Sequence, residues 1–388
     1  MAWSFRIARI SGIDIRVHAT FTLIVLFGAF EFGMRGGSRG AAFGALLVCC
    51  LFGCIVLHEL GHSLVAQRFG VKVREIVLLP IGGVARLLRD PSKPWQELLI
   101  AIAGPLVNVA IAGLLTLAAV AAFGPGWVWS ALGGGFGGSS AGGLYLEASG
   151  ASLLAWLLTG NLLVAVFNMI PALPMDGGRV FRSILAMVLG RPRATRVASF
   201  VGQVLAVGFI GLGLYGHNLM LAIIGGFVFL GASQERFANE ATESLVGLKA
   251  SDACAPNALV LSPGDPIGAV LELMLRSPQS YFAVVHGDRI IGALSREDAL
   301  RGARRAGPMA YVAGAMLREL KEVDPTTPLS ELRASLIEHE GRPVAVRGER
   351  GYLGLIGLED IARVSAVATA LRRGGILARR EQPRGSTT

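Results

Sequence analysis

Cysteine is scarce in this chain of 388 residues. There are four: Cys49, Cys50 and Cys54 lie inside one apolar run, and Cys254 lies in a polar region. Nothing in that set resembles the even, spaced framework of a disulfide-stapled secreted domain, and that class is excluded. Charge is scarce too, at 16% of residues, and most of it falls beyond Gln234, whereas long charge-poor stretches fill positions 18 to 234. The N-terminal MAWSFRIARISGIDIRVHAT carries several Arg but lacks a continuous apolar core and a small-residue cleavage site, so it reads as retained and cytoplasmic rather than as a signal peptide. What is plentiful is apolar: 53% of residues are hydrophobic, which points to a membrane. The formal charge of +9 invites a nucleic-acid partner, yet much of the Arg sits in short loops between apolar segments, where the positive-inside rule accounts for it. No nucleic-acid role is expected.

A bilayer asks for about 20 mostly apolar residues per helix. That ruler places spans near 18–33, 41–66, 97–123, 151–171, 196–215 and 218–234. Six spans put both termini on one side. The stretches 67–93 and 179–196 are basic, whereas 124–150 holds no Lys or Arg, so the basic stretches and both termini are expected in the cytoplasm. Arg35 and Arg39 fall in a loop that this topology places outside. Between the second and third spans, VKVREIVLLPIGGVARLL suggests short strands with a turn at Gly82 and Gly83. The tract 133–150 reads as a flexible Gly/Ser loop, and LRRGGILARREQPRGSTT at the end (368–388 in outline) as a disordered basic tail.

From about Leu245 the pattern changes to soluble α/β alternation. YFAVVHGDRIIGALS followed by EDALRGARRA is matched, about 60 residues later, by RPVAVRGERGYLGLIGLEDIARV. Such a duplication means two copies of one small domain. The expected organisation is a membrane-embedded domain over 1–240, two copies over 245–303 and 308–367, and the tail.

The chemistry concentrates in His58-Glu59-Leu60-Gly61-His62, at the end of an apolar run. One helical turn separates His58 from His62, so both project from one face and can share a zinc ion, with Glu59 beside them to activate bound water. Ionisable groups inside a hydrocarbon layer are costly and usually mark function. A catalytic zinc wants a third protein ligand and an open position. Asp176, in Asn168-Met-Ile-Pro-Ala-Leu-Pro-Met-Asp176-Gly-Gly, ends the fourth span on the same side as the two histidines. Cys50 and Cys54 share a helical stripe with His58 and form an alternative donor set.

HELGH in an apolar helix, followed much later by FNMIPALPMDGGR, resembles the site-2 protease family of intramembrane zinc metalloproteases, peptidase M50. AGPLVN (103–108) and PIGG (80–83) also resemble its signatures, and the likeness covers most of residues 1 to 235. The resemblance implies that His58, His62 and Asp176 bind Zn2+, that Glu59 is general base and then proton donor, and that Asn168 bonds the scissile carbonyl. It implies that the segment around Gly82 and Gly83 pairs with an unwound substrate. It also implies a substrate of the single-pass membrane kind, such as an anti-sigma factor or a signal-peptide remnant.

The duplicated region resembles a pair of cystathionine-β-synthase (CBS) domains. In the first copy Ser295 and Asp298 fit that family's adenosine-ligand pattern, implying ATP or another adenine nucleotide as regulator and a homodimer through the pair. In the second copy Gly357 replaces the hydroxyl residue. Read without the family, Ser295 three residues before Asp298 is an ordinary helix cap. The expected whole is thus a polytopic α-helical protein of the cell membrane with a cytoplasmic α/β tandem CBS pair. The other classes weighed are a transporter or channel with a regulatory CBS tail, and a non-proteolytic membrane chaperone. Neither needs HELGH and MDGG together.

Overall fold

The computed structural model describes residues 3–80, 82–87, 91, 93–135, 147–254, 258–277, 279–287, 289–339, 341–349 and 351–373. The tract 136–146, part of the expected flexible loop, and residues 374–388 of the expected tail lie outside these, whereas residues 368–373, expected to begin that disordered tail, are helical. The chain divides into two compact units, Met1–Arg236 and Phe237–Thr388.

In the first unit, strands β1 (Ser4–Ile10) and β2 (Ile13–His18) precede helix α1 (Phe21–Arg68), and β3 (Val73–Leu79) and β4 (Gly82–Leu87) follow it. Then come α2 (Pro94–Phe123), α3 (Pro125–Gly135), α4 (Gly150–Asn168), α5 (Asp176–Leu189), α6 (Arg191–Tyr215) and α7 (Leu219–Ser244). The four strands form one sheet in chain order, β2 and β3 parallel and the outer pairs antiparallel. Among the described residues five helices (α1, α2, α4, α6, α7) are long and apolar enough to cross a membrane. The first of them has two arms. Gly37 breaks it with φ +58°, a value glycine adopts without strain. Thirty-one residues of unbroken helix would separate Phe21 from Phe52 by about 46 Å, yet their rings lie 4.7 Å apart. The two arms therefore fold back on one another, packed through Gly28 against Gly44, as small residues allow in membrane helices.

Two expectations are corrected here. The basic stretch 179–196 is not an open loop: it is α5 and the start of α6, because Val180, Phe181 and Ile184 alternate at helical spacing with the arginines. Likewise, the beginning of the Gly/Ser tract closes α3, which runs to Gly135.

The second unit repeats one order twice. Helix α8 (Ala250–Ala253) leads into β5 (Val260–Leu261), α9 (Ile267–Arg276), β6 (Tyr281–His286), β7 (Arg289–Ser295) and α10 (Arg296–Ala306). The second copy is β8 (Lys321–Val323), α11 (Leu329–Glu338), β9 (Val344–Gly348), β10 (Gly351–Ile356) and α12 (Leu358–Arg373). Each copy builds a three-stranded sheet with its first two strands parallel and its last two antiparallel. Leu261, Ile267, Phe282, Leu294 and Val312 fill the first core, and Leu329, Leu336, Val346, Ile356 and Ile361 the second. Small residues, Ala283, Ala293 and Ala345, lie where the two sheets meet.

Candidate metal centre and active site

His58 and His62 occupy the last turns of α1, and Asp176 opens α5. All three are buried, with 4%, 6% and 8% of their surface exposed. Asp176 is held there by the shape of its loop: Gly177 lies against the Met169 carbonyl and Gly178 against Ala172 and Leu173, with no room for a Cβ at either place. The sequence motif thus carries one charge and two spaces. Its carboxylate also sits at the positive end of α5, a favourable place for an anion.

The donors converge. His62 Nε2 is 3.1 Å from His58 Nε2 and 3.1 Å from Asp176 Oδ2, and His58 Nε2 is 3.2 Å from the same oxygen. Each imidazole is fixed from behind: His58 Nδ1 is 2.5 Å from Asn108 Oδ1 and His62 Nδ1 is 2.6 Å from the Ile100 carbonyl oxygen. An acceptor at Nδ1 means that Nδ1 carries the proton, so both Nε2 atoms turn lone pairs toward Asp176. Three lone-pair donors this close repel one another unless a cation or proton lies between them. An ion about 2.0–2.1 Å from each donor in a tetrahedral arrangement sets the donors about 3.3 Å apart. The residues fit zinc. Among the described residues, these three are the group that can hold a metal ion; Cys50 and Cys54 do not belong to it.

Helix α2 supplies the wall. Gly104 faces both Nε2 atoms, and a methyl there would overlap them; its missing side chain is the space above the donors. The Glu59 Cγ is 2.7 Å from where a Cβ of Gly83 would be, so β4 runs directly beside it. Asn168 is the last residue of α4. In the second unit, Ser295 caps α10: its Oγ accepts the Asp298 backbone N–H at 3.0 Å and donates to Asp298 Oδ2 at 2.6 Å.

The sequence profile of peptidase family M50 matches residues 46–212, and that of the CBS domain matches 250–304 and 312–367. A zinc metalloprotease of Methanocaldococcus jannaschii is 35% identical over 296 residues, 76% of this chain and 78% of its own. The chain belongs to the site-2 protease family, peptidase family M50. As a member it is a zinc metalloprotease and a membrane protein, and it carries a C-terminal pair of CBS domains. Mycobacterium tuberculosis Rip3 is 27% identical to this M50 peptidase over 387 residues, 92% of each chain. The solved site-2 protease from M. jannaschii shares 37% identity, with 60% of this chain and 95% of that one covered and a TM-score of 0.43.

Sequence reasoning missed several residues of this peptidase. Asn108 and Asn161 are each 1% exposed and bonded to one another at 2.9 Å. Asn108 closes the AGPLVN signature without a role being read for it, and for Asn161 a lone amide in an apolar helix was the signal; Asn108 lies four residues after Gly104 and so shares its face. Glu97, 1% exposed at the start of α2, pairs with Arg182 of α5 and, at 3.1 Å, with Arg191 of α6, while Arg182 also pairs with Glu235 of α7. That network ties the helix bearing Asp176 to three others. In the sequence its arginines looked like topogenic charge.

Proposed function

We propose that this peptidase hydrolyses a peptide bond of a single-pass membrane protein within or beside the bilayer. The convergence of His58, His62 and Asp176 on one point, lined by Gly104, carries the reading. These three residues would hold one zinc ion. Bound there, zinc supplies a Lewis acid and a water acidified toward neutral pH. Glu59 takes a proton from the attacking water and returns it to the leaving amine. Asn168 donates its amide to the carbonyl oxygen of the cleaved bond, a contact worth about 3 kcal/mol as negative charge develops there.

Substrate presentation follows from the sheet. Among the described residues strand β4 is an edge strand, paired with β3 alone, and its Gly83 borders Glu59. A transmembrane helix shields its own peptide groups and must unwind before attack; the unwound segment then adds to the free edge of β4. Gly82 and Gly83, without side chains, let its backbone come close to Glu59. Anti-sigma factors and signal-peptide remnants are substrates of the required single-pass kind.

The positive-inside pattern supports a multi-pass chain with both termini and the CBS pair in the cytoplasm. Domain limits near 1–240, 245–303 and 308–367 agree with that plan. In the first CBS copy, Ser295 and Asp298 would receive an adenine nucleotide, through which the pair, as a homodimer, adjusts cleavage. Asp298 can accept ribose hydroxyls at Oδ1, which lies 3.3 Å from Arg301, while Oδ2 keeps its bond from Ser295.

The test is cleavage of a panel of single-pass substrates by the purified full-length protein. Glu59→Ala lowers the rate by at least about a hundredfold while leaving zinc at one per chain, the effect of removing a general base, and chelation stops cleavage of the wild type. Protein that binds no zinc ends the assignment of His58, His62 and Asp176.

A further inference from the structure

The two histidines are held by different kinds of acceptor. His62 faces a main-chain carbonyl, which only accepts, so its tautomer is set by one contact. His58 faces the side-chain amide of Asn108, which offers an oxygen or an NH2 group according to how it is turned. The turn is decided one step further away. Asn108 Nδ2 donates to Asn161 Oδ1 at 2.9 Å, and Asn161 Nδ2 donates to the Leu157 carbonyl, one turn back in its own helix, at 2.8 Å. Because Leu157 O only accepts, Asn161 meets it through its NH2 group. Its oxygen is left for Asn108, which answers with NH2 and so turns its own oxygen to His58. Reversing either amide sets oxygen against oxygen or NH2 against NH2, and both side chains are 1% exposed, away from water that would relieve the clash.

We infer that Asn161 and Asn108 form a one-way amide relay from the Leu157 carbonyl to His58, which keeps the proton on Nδ1 and the Nε2 lone pair on the metal. Asn108 orients His58 directly. Asn161 is a positioning residue that acts through Asn108 without touching the histidine. The inference rests on zinc binding by His58, His62 and Asp176. The competing role is simple interhelical adhesion, in which buried amides hold helices together and have no bearing on the metal.

The two roles part in a double-mutant cycle on the full-length protein. Zinc affinity is read by competition with a chromophoric chelator, and the melting temperature of the zinc-free protein is read for each variant. Asn108→Leu weakens zinc by about 10- to 100-fold, the usual cost of losing a partner behind a ligand histidine. Asn161→Leu, which frees Asn108 to turn either way, gives a smaller loss. Asn108→Asp accepts from His58 in both orientations, but its second oxygen meets Asn161 Oδ1, a repulsion that Asn161→Leu removes. The decisive result is that Asn161→Leu weakens zinc in the wild type but does not weaken it when added to Asn108→Asp. The same loss from Asn161→Leu in both backgrounds overturns the relay, and so do lower melting temperatures with zinc affinity untouched. Asn161→Ala, which adds no bulk, repeats the measurement if the Leu variant does not fold. His58→Ala separates the two readings: zinc lost there but unchanged in every Asn variant overturns the relay alone, whereas zinc retained in His58→Ala overturns both.

Discussion

His58, His62 and Asp176 in the membrane unit, and Ser295 and Asp298 in the CBS unit, are motif residues in opposite settings. The first three are buried in an apolar bundle and press lone pairs together, an arrangement that costs stability unless something binds. The second pair sits where a helix begins, and its two hydrogen bonds already satisfy the cap of α10. A motif that its own fold leaves unsatisfied points to a ligand more strongly than one that its fold explains. Breaking the contrast means altering the space or the cap and asking which property moves.

The largest effect is expected at Gly104. A Cβ there falls on the Nε2 atoms of both histidines, so Gly104→Ala loses most of its zinc and its cleavage activity together, with a cost of about 1–3 kcal/mol to the zinc-free fold from displacing the two rings. Metal analysis of the purified variant checks this. Zinc retained at one per chain would mean that the donors face away from α2.

The legible parts were those with a period or a spacing. Six spans were expected from apolar length; among the described residues five helices are long and apolar enough to cross a membrane, and φ +58° at Gly37 turns the first of them back without ending it. The HELGH pair was read from one helical turn, and the CBS pair from its repeat. What stayed hidden depends on where chains meet. Glu97 looked like a stray acid until α5 and α6 brought Arg182 and Arg191 to it. Asn108 and Asn161 are 53 residues apart, and no local pattern joins them. The departure at Gly357 was visible but not its reason: the Tyr281 ring lies where a Cβ would go, so the second copy has no room for the hydroxyl residue. There the Asp360 carboxylate instead accepts the Gly357 N–H at 2.9 Å.

Burial in the CBS unit is expected to show as inertness. Cys254 lies against Gly354, and burial, with a smaller push from the Asp360 charge, raises its thiol from 9.0 to about 11. At pH 8 its thiolate fraction is then about a hundredfold below that of an ordinary thiol. The more basic thiolate is intrinsically more nucleophilic and recovers about tenfold, so alkylation is about tenfold slower than for an exposed cysteine. Mass-spectrometric timing of iodoacetamide labelling at Cys254 measures it. Labelling at the free-thiol rate would mean that the second copy opens readily.

The smallest effect is the most discriminating for the nucleotide reading. Ser295→Ala removes an N-cap, at a cost of about 1 kcal/mol, which is about a fivefold shift in the opening of α10. Hydrogen exchange at the Asp298 amide, whose acceptor is lost, speeds up by about that factor. Nothing comparable follows in the second copy, where the cap uses Asp360. ATP affinity then separates capping from recognition. A fall of about fivefold is what a weakened helix start gives to any ligand that needs α10 in place. A much larger fall requires that the hydroxyl touch the nucleotide, and it would move the first CBS copy into the class that the histidines already occupy.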